Sequence, residues 1–176
     1  MKIIDTHTIK LDRELSDLDK DVLRFCTILA KHVTYVIVSG YVSILFGRTR
    51  GTEDVDLLIE RLTKNVVTTI YGDLISHGYW ALNVHSAEEA YSLLEDNLAI
   101  RFAENGKILP NMEVKFVKDA FDMLSLRKRI RIVLQEGELF TSKIDLQIAY
   151  KKFVLKSPKD LEDARHLQKL FSVSDE

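Results

Sequence analysis

Apolar positions along this chain follow two periods. Leu15, Leu18, Val22, Phe25, Leu29 and Val33 recur at three- and four-residue spacing, which predicts an amphipathic helix over about 12–32. A continuous apolar run at 35–38 predicts a buried strand. It closes on Ser39-Gly40-Tyr41, and a short helix is expected over 41–46. A second run, Leu57-Leu58-Ile59, puts a strand at 55–60. Residues 63–77 read as a helix ended by Gly78, and 79–84 as a strand whose Tyr79-Trp80 packs in the core. Ser86 with Glu89 offers a capping box for a helix to about 96.

Farther on, strict alternation returns. Met112, Val114 and Phe116 interleave with Glu113 and Lys115, so 98–103 and 108–117 are expected to form a hairpin around Asn105-Gly106. Asp119 caps a helix to about 127, and 129–134 with 138–141 form a second hairpin. Two helices finish the chain, at 144–155 and from Ser157, with Pro158 at the first position and Asp160 completing a cap. The order is strand, short helix, strand, helix, then mostly hairpins, then helices. That argues for an α+β fold, a mixed β-sheet covered by helices, and not for a regular doubly wound domain.

Length and composition narrow the picture. With 176 residues, a single domain is expected, with a core over about 12–118 and a C-terminal hairpin and helices over about 119–171. A net charge of −2 gives no global attraction to nucleic acid. One cysteine, Cys26, excludes an intrachain disulfide and suits a reducing interior. No apolar run reaches membrane-spanning length, and the N-terminus lacks the apolar stretch of a signal peptide. A cytoplasmic protein is expected, with an irregular tail only over 172–176.

The chemistry concentrates at Glu53-Asp54-Val55-Asp56. Side chains two apart on a strand share a face, so Asp54 and Asp56 stand about 7 Å apart. Like charges there repel unless a cation lies between them, and hard oxygen donors suit Mg²⁺. Other positions carry two readings each. Glu113 is either a third carboxylate or a solvent-face partner of Lys115. Gly40 is a turn residue, or a gap that lets backbone N–H groups approach phosphate. Arg48 and Arg50 are loop charges or phosphate contacts. Lys151 lies on an apolar stripe with Ile144, Ile148 and Leu155, so it needs an anion, either phosphate or a structural carboxylate. Lys159, Asp160 and Asp163 read as a cap with an i,i+4 pair, or as part of a site. The five histidines lack metal-ligand spacing, and no phosphate-loop lysine or Gly-x-Ser-x-Gly motif occurs.

Taken in order, these residues resemble the nucleotidyltransferase-fold superfamily: a strand, a glycine turn, a short helix, then a strand carrying Asp-x-Asp, with a third carboxylate on a later strand. Arg50-Gly51-Thr52-Glu53-Asp54-Val55-Asp56 is similar to the Arg-x-Thr-x-Asp-x-Asp form of small prokaryotic members. Ala149-Tyr150-Lys151 followed by Lys159-Asp160-Leu161-Glu162-Asp163 is similar to motifs of AbiEii-type nucleotidyltransferase toxins. The resemblance implies Mg²⁺, or Mn²⁺, on Asp54, Asp56 and Glu113. It implies a nucleoside triphosphate held by Ser39, Gly40, Tyr41, Arg50, Thr52, Lys151, Lys159 and Asp160. The activity implied is transfer of a nucleoside monophosphate to a hydroxyl of RNA, protein or a small molecule. A homodimer or a cognate antitoxin is the implied protein partner. One residue departs from the pattern: Tyr41 stands where the family carries a small side chain, which implies as alternative a catalytically weak nucleotide-binding or regulatory module.

Overall fold

A computed structural model describes residues 1–172, so the tail past Ser172 lies outside the described residues. Nine strands form one mixed sheet. They are β1 (Lys2–Asp5), β2 (Thr8–Lys10), β3 (Tyr35–Val38), β4 (Asp54–Ile59), β5 (Tyr79–Ala81), β6 (Ile100–Glu104), β7 (Asn111–Phe116), β8 (Ile130–Leu134) and β9 (Gly137–Thr141). Their spatial order is β1-β2-β8-β9-β3-β4-β7-β6-β5. Seven helices cover it: α1 (Asp17–Leu29), α2 (Gly40–Leu45), α3 (Lys64–Ser76), α4 (Ala87–Glu95), α5 (Ala120–Arg127), α6 (Ile144–Tyr150) and α7 (Pro158–Phe171). The α+β class expected from the element order is the observed one.

The three-residue run at the end of β4 reflects burial on both sheet faces. Val55, Leu57 and Ile59 point into the main core with α1, α3 and α4. Leu58 joins Val36, Val117 and Leu126 of α5 in a smaller cluster on the opposite face. Asp54 and Asp56 belong to that second face, alternating with the buried Val55 and Leu57. Around the sheet centre β4 runs parallel to β7 and antiparallel to β3.

Three expectations are corrected, and one hairpin that the sequence pattern did not signal is added. Helix α1 starts at Asp17, not near residue 12, because Ser16 and Asp19 form a reciprocal capping box there. The N-terminal hairpin β1–β2, too short and polar to show a periodic pattern, extends the sheet beside β8. Tyr79 is buried, but Trp80 is 40% exposed on the edge strand β5, its indole N–H donating to the Lys107 carbonyl. The helix expected over 144–155 changes character after Tyr150: Lys151–Leu155 form a π-helical turn that ends at Lys156 with φ +59°.

No helix among the described residues is long and apolar enough to cross a membrane.

Candidate active site

The acidic pair sits where strand pairing concentrates charge. Asp56 is in register with Glu113 across the parallel β4–β7 pair, and with Val38 on its other side. Val38 immediately precedes Ser39-Gly40, so the glycine bend lies beside the acids. Lys115 is the cation that Asp56 and Glu113 share. Its Nζ lies 2.9 Å from Asp56 Oδ1 and 3.1 Å from Glu113 Oε2. Arg101, opposite Glu113 on β6, places Nε 2.8 Å from Glu113 Oε1. Asp54, at the head of β4, is exposed.

These neighbours set protonation. Burial pushes the Glu113 carboxyl up, but Lys115 and Arg101 more than offset it and hold it below the usual carboxylate range. Burial pulls the Lys115 ammonium down, yet Asp56 and Glu113 raise it above its ordinary value. At neutral pH the cluster is therefore an ionised Glu113 clamped by two cations, with Lys115 shared with Asp56. A carboxylate lowered and occupied by two cations in this way is a poor general base.

Metal fit follows from the donors. Among the described residues no three His, Cys, Asp or Glu side chains are gathered as a metal cluster. Glu113 spends both oxygens on Arg101 and Lys115. Asp54 and Asp56 remain as a two-carboxylate set, which suits Mg²⁺ that completes its shell with water and phosphate.

Ser39 has φ +67° and ψ −136°, a strained conformation for a residue with a Cβ. It makes no side-chain capping bond to α2 and lines a cavity with Asp56 and Lys115. That cavity, about 220 Å³, opens between this sheet face and helices α5 and α6. Gly40 also makes room for an arginine. A Cβ there would stand 3.0 Å from Arg50 Nη2, so the missing side chain admits the guanidinium. Thr52 Oγ1 donates to the Asp54 carbonyl at 2.7 Å, shaping the turn into β4.

The remaining basic candidates converge elsewhere. Asp163 of α7 is fully buried. It accepts from Lys151 Nζ at 2.9 Å, Arg50 Nη1 at 2.5 Å and Arg48 Nε at 3.4 Å. Lys151, also fully buried, reaches Asp160 at 3.3 Å. Arg48 makes a further ion pair with Glu162. Of the two anions open to Lys151, the structural carboxylate is the one present. Lys159 is exposed, and Asp163 turns inward instead of pairing with it. This network ties the arginine loop to α7 behind the glycine bend.

Tyr41 also points away from the acids. Its ring is buried in the main core and its hydroxyl donates to Asp19 Oδ1 at 2.7 Å. The bulky side chain therefore leaves the face of Asp54 and Asp56 free, and offers a nucleotide no side-chain contact. Arg13 grips the same carboxylate at 2.8 and 2.9 Å, and Ser16 adds its N–H and hydroxyl. Burial raises the Asp19 carboxyl, but these donors outweigh it and hold it below its ordinary value. Tyr41→Phe is expected to cost about 2 kcal/mol of stability in urea unfolding, as loss of a donor to a buried charge does. Nucleotide binding should be unchanged.

The same site predicts acid sensitivity. A lowered folded pKa contributes stability that is present above the unfolded value, about 3.9, and is lost as pH falls through the folded one. Thermal unfolding temperature should fall as the pH drops below about 4, through the lowered folded value. Asp19→Asn should be less stable at pH 7 and show a shallower acid decline.

Arg101 and the Asp163 hub escape sequence reading because both depend on register and docking between distant segments. The alternation of Glu113 with Lys115 is the signal that does reveal their shared face.

With this geometry in view, the fold is that of nucleotidyltransferase-like proteins. No family model and no curated protein matches the chain. Among solved structures it is similar to an antigenic nucleotidyltransferase-like protein from Paracoccidioides brasiliensis, at TM-score 0.56 and 15% identity, covering 88% of this chain and 76% of that one. It is also similar to the antibiotic-resistance factor ANT(2'')-Ia in solution, at TM-score 0.52 and 14% identity, covering 87% and 85%. ANT(2'')-Ia in complex with adenylyl-2''-tobramycin gives TM-score 0.52 and 15% identity over 86% and 90%. At these identities the likeness is one of fold.

Proposed function

We propose that the protein transfers a nucleoside monophosphate from a nucleoside triphosphate to a hydroxyl acceptor. The observation that carries this is the placement of Asp54 and Asp56 on one open sheet face, beside a strained Ser39 and above a cavity. Asp54 and Asp56 would hold Mg²⁺ or Mn²⁺. Such an ion, when bound, neutralises triphosphate charge and polarises the phosphoryl oxygens.

The chain's own residues do the rest. Ser39 and the charged Lys115 face the cavity at the end where phosphate would lie. Asp56 and Glu113 hold Lys115 in place, and Arg101 orients Glu113. The acceptor hydroxyl oxygen forms a bond to the α-phosphorus as the bond to the bridging oxygen breaks, pyrophosphate leaves, and the hydroxyl proton passes to solvent water. An acceptor of small-molecule size is favoured by likeness to ANT(2'')-Ia, whose structure holds adenylyl-2''-tobramycin. RNA and protein hydroxyls are the other acceptor classes. A reducing cell interior suits the single buried cysteine.

A second reading is favoured by one contact. Lys115 fills the gap between Asp56 and Glu113, as a permanent substitute for a metal would. In that reading the protein is a weakly catalytic nucleotide-binding module, of AbiEii-like descent, acting with an antitoxin or a second copy of itself. Incubation with each labelled triphosphate, Mg²⁺ and cell extract separates the two. Label transfer that Asp56→Asn removes supports the enzyme. Nucleotide binding without transfer supports the module.

A further inference from the structure

The cavity between β4, α5 and α6 holds a carboxylate with an oxygen to spare. Asp122, on α5, lines it together with Asp56, Lys115, Lys118 and Tyr150. Asp122 is 8% exposed, and its Oδ2 accepts from the Lys118 N–H at 3.1 Å. Its Oδ1 has no hydrogen-bond partner among the described residues. Two more oxygens in these walls lack donors. Ser125 Oγ, on α5, and Gln147 Oε1, on α6, are buried without a hydrogen bond. Residues three apart share a helix face, so Asp122 and Ser125 look into the cavity together. Buried acceptors left unpaired are costly, so this wall calls for an occupant that donates hydrogen bonds, as a hydroxyl does.

The titratable groups around the cavity are not equivalent as bases. Asp54 and Asp56 are the oxygens suited to the ion, and a carboxylate on a cation has little basicity left. Glu113, despite its burial, is held low by Lys115 and Arg101. Burial pulls Lys115 down, but Asp56 and Glu113 raise it, so it stays a donor. Burial, with Asp122 and Asp119 nearby, pushes the Tyr150 phenol up, so it keeps its proton at neutral pH. Asp122 differs from all of these. Burial pushes its carboxyl up, the Lys118 N–H pulls it down, and the Asp119 charge pushes it up again. Weaker pulls come from the Lys118 and Lys115 ammonium groups, and the net value lies above the usual one. The groups facing Asp122 are thus Lys118 and Asp119 beside its own helix, Lys115 of β7, Asp56 of β4 and Tyr150 of α6. A raised carboxylate is the stronger base.

We propose that Asp122 is the catalytic base of the transfer, its free Oδ1 taking the proton of the acceptor hydroxyl as that oxygen attacks the α-phosphorus. This rests on the transfer reading. The bond from the α-phosphorus to the bridging oxygen breaks, and pyrophosphate leaves with the electron pair. Asp122 then gives the proton to water.

The test measures single-turnover transfer from α-labelled ATP, GTP, CTP and UTP, with Mg²⁺ and cell extract, from about pH 4.5 to about pH 9. It compares the wild type, Asp122→Asn and Asp119→Asn. Circular dichroism and thermal melts establish that each variant folds, and Mn²⁺ binding with tripolyphosphate reports on the ion site. The base must be ionised, so the wild-type rate should rise with pH through the raised Asp122 value and then level off. Asp122→Asn keeps an oxygen for the Lys118 N–H. It should lower the plateau at least about a hundredfold, abolish the acid limb and leave Mn²⁺ affinity unchanged. Asp119→Asn still caps α5, so the plateau should stand while the acid limb moves to lower pH, because a charge that raised Asp122 is gone. A rate for Asp122→Asn within about threefold of the wild type overturns the base and leaves the transfer reading standing. A slow Asp122→Asn that keeps the wild-type acid limb, or loses Mn²⁺ affinity in step with rate, also overturns the base. No transfer by the wild type from any of these triphosphates overturns both.

Discussion

Replacement of Asp163 by alanine is expected to lower the free energy of unfolding by about 3–5 kcal/mol, the cost of stranding a buried charge. Asp163 is the anion on which Lys151, Arg50 and Arg48 converge. Lys151 has no route to solvent, whereas Arg50 and Arg48 keep some exposure. Its loss leaves the Lys151 ammonium with Asp160 alone at 3.3 Å. In a protein of this size the melting temperature should drop on the order of 10 °C. The double variant Asp163→Leu with Lys151→Met removes both charges, and should recover most of the loss. Urea unfolding of the wild type, Asp163→Leu, Lys151→Met and their double variant in a double-mutant cycle, with Asp163→Ala measured beside them, checks this. A loss below about 1 kcal/mol for Asp163→Ala would mean that α7 is not anchored by this hub.

The second large effect concerns chemistry. Asp56→Asn is expected to reduce label transfer at least about a hundredfold while costing little stability, because Asp56 lies at an open sheet face. The substitution removes one of two oxygen ligands for the ion and loosens Lys115, which retains only Glu113. Asp54→Asn removes a ligand without touching Lys115. It should therefore lose transfer comparably but keep the Lys115–Glu113 contact. Glu113→Gln frees Lys115 on one side and leaves both metal ligands, so a drop of about tenfold is expected. Single-turnover rates with a fixed acceptor measure the three. A Glu113→Gln loss as deep as Asp56→Asn would make Glu113 a ligand after all.

What the sequence discloses here, and what it hides, follows from range. The shared face of Asp54 and Asp56 is a two-residue fact, written in the alternation with Val55 and Leu57. The caps at Ser16, Ser86, Asp119 and Ser157 are three-residue facts and sit where their side chains accept from the backbone. The cation beside Asp56 is different. It comes from Lys115 on another strand, in contact only because β4 and β7 run parallel in one particular register. Arg50 and Lys151 read locally as free cations. Asp163, over a hundred residues from Arg50, consumes both. Tyr41 reads as an obstruction until the direction of α2 sends its ring into the core, where Asp19 receives the hydroxyl. Trp80 reads as core by composition, yet β5 is the sheet edge and turns it outward. The cavity under α5 and α6 has no linear signature, since its walls come from six separate elements.

The most direct measurement is a Mn²⁺ titration followed by electron paramagnetic resonance, with tripolyphosphate present, on the wild-type protein and on the Asp54→Asn, Asp56→Asn double variant. The account predicts one protein-bound ion that appears with tripolyphosphate and weakens at least about tenfold in the variant. Equal ion binding by the two proteins, or none by the wild type, would contradict it. Either result would leave Lys115 as the cation that Asp56 holds.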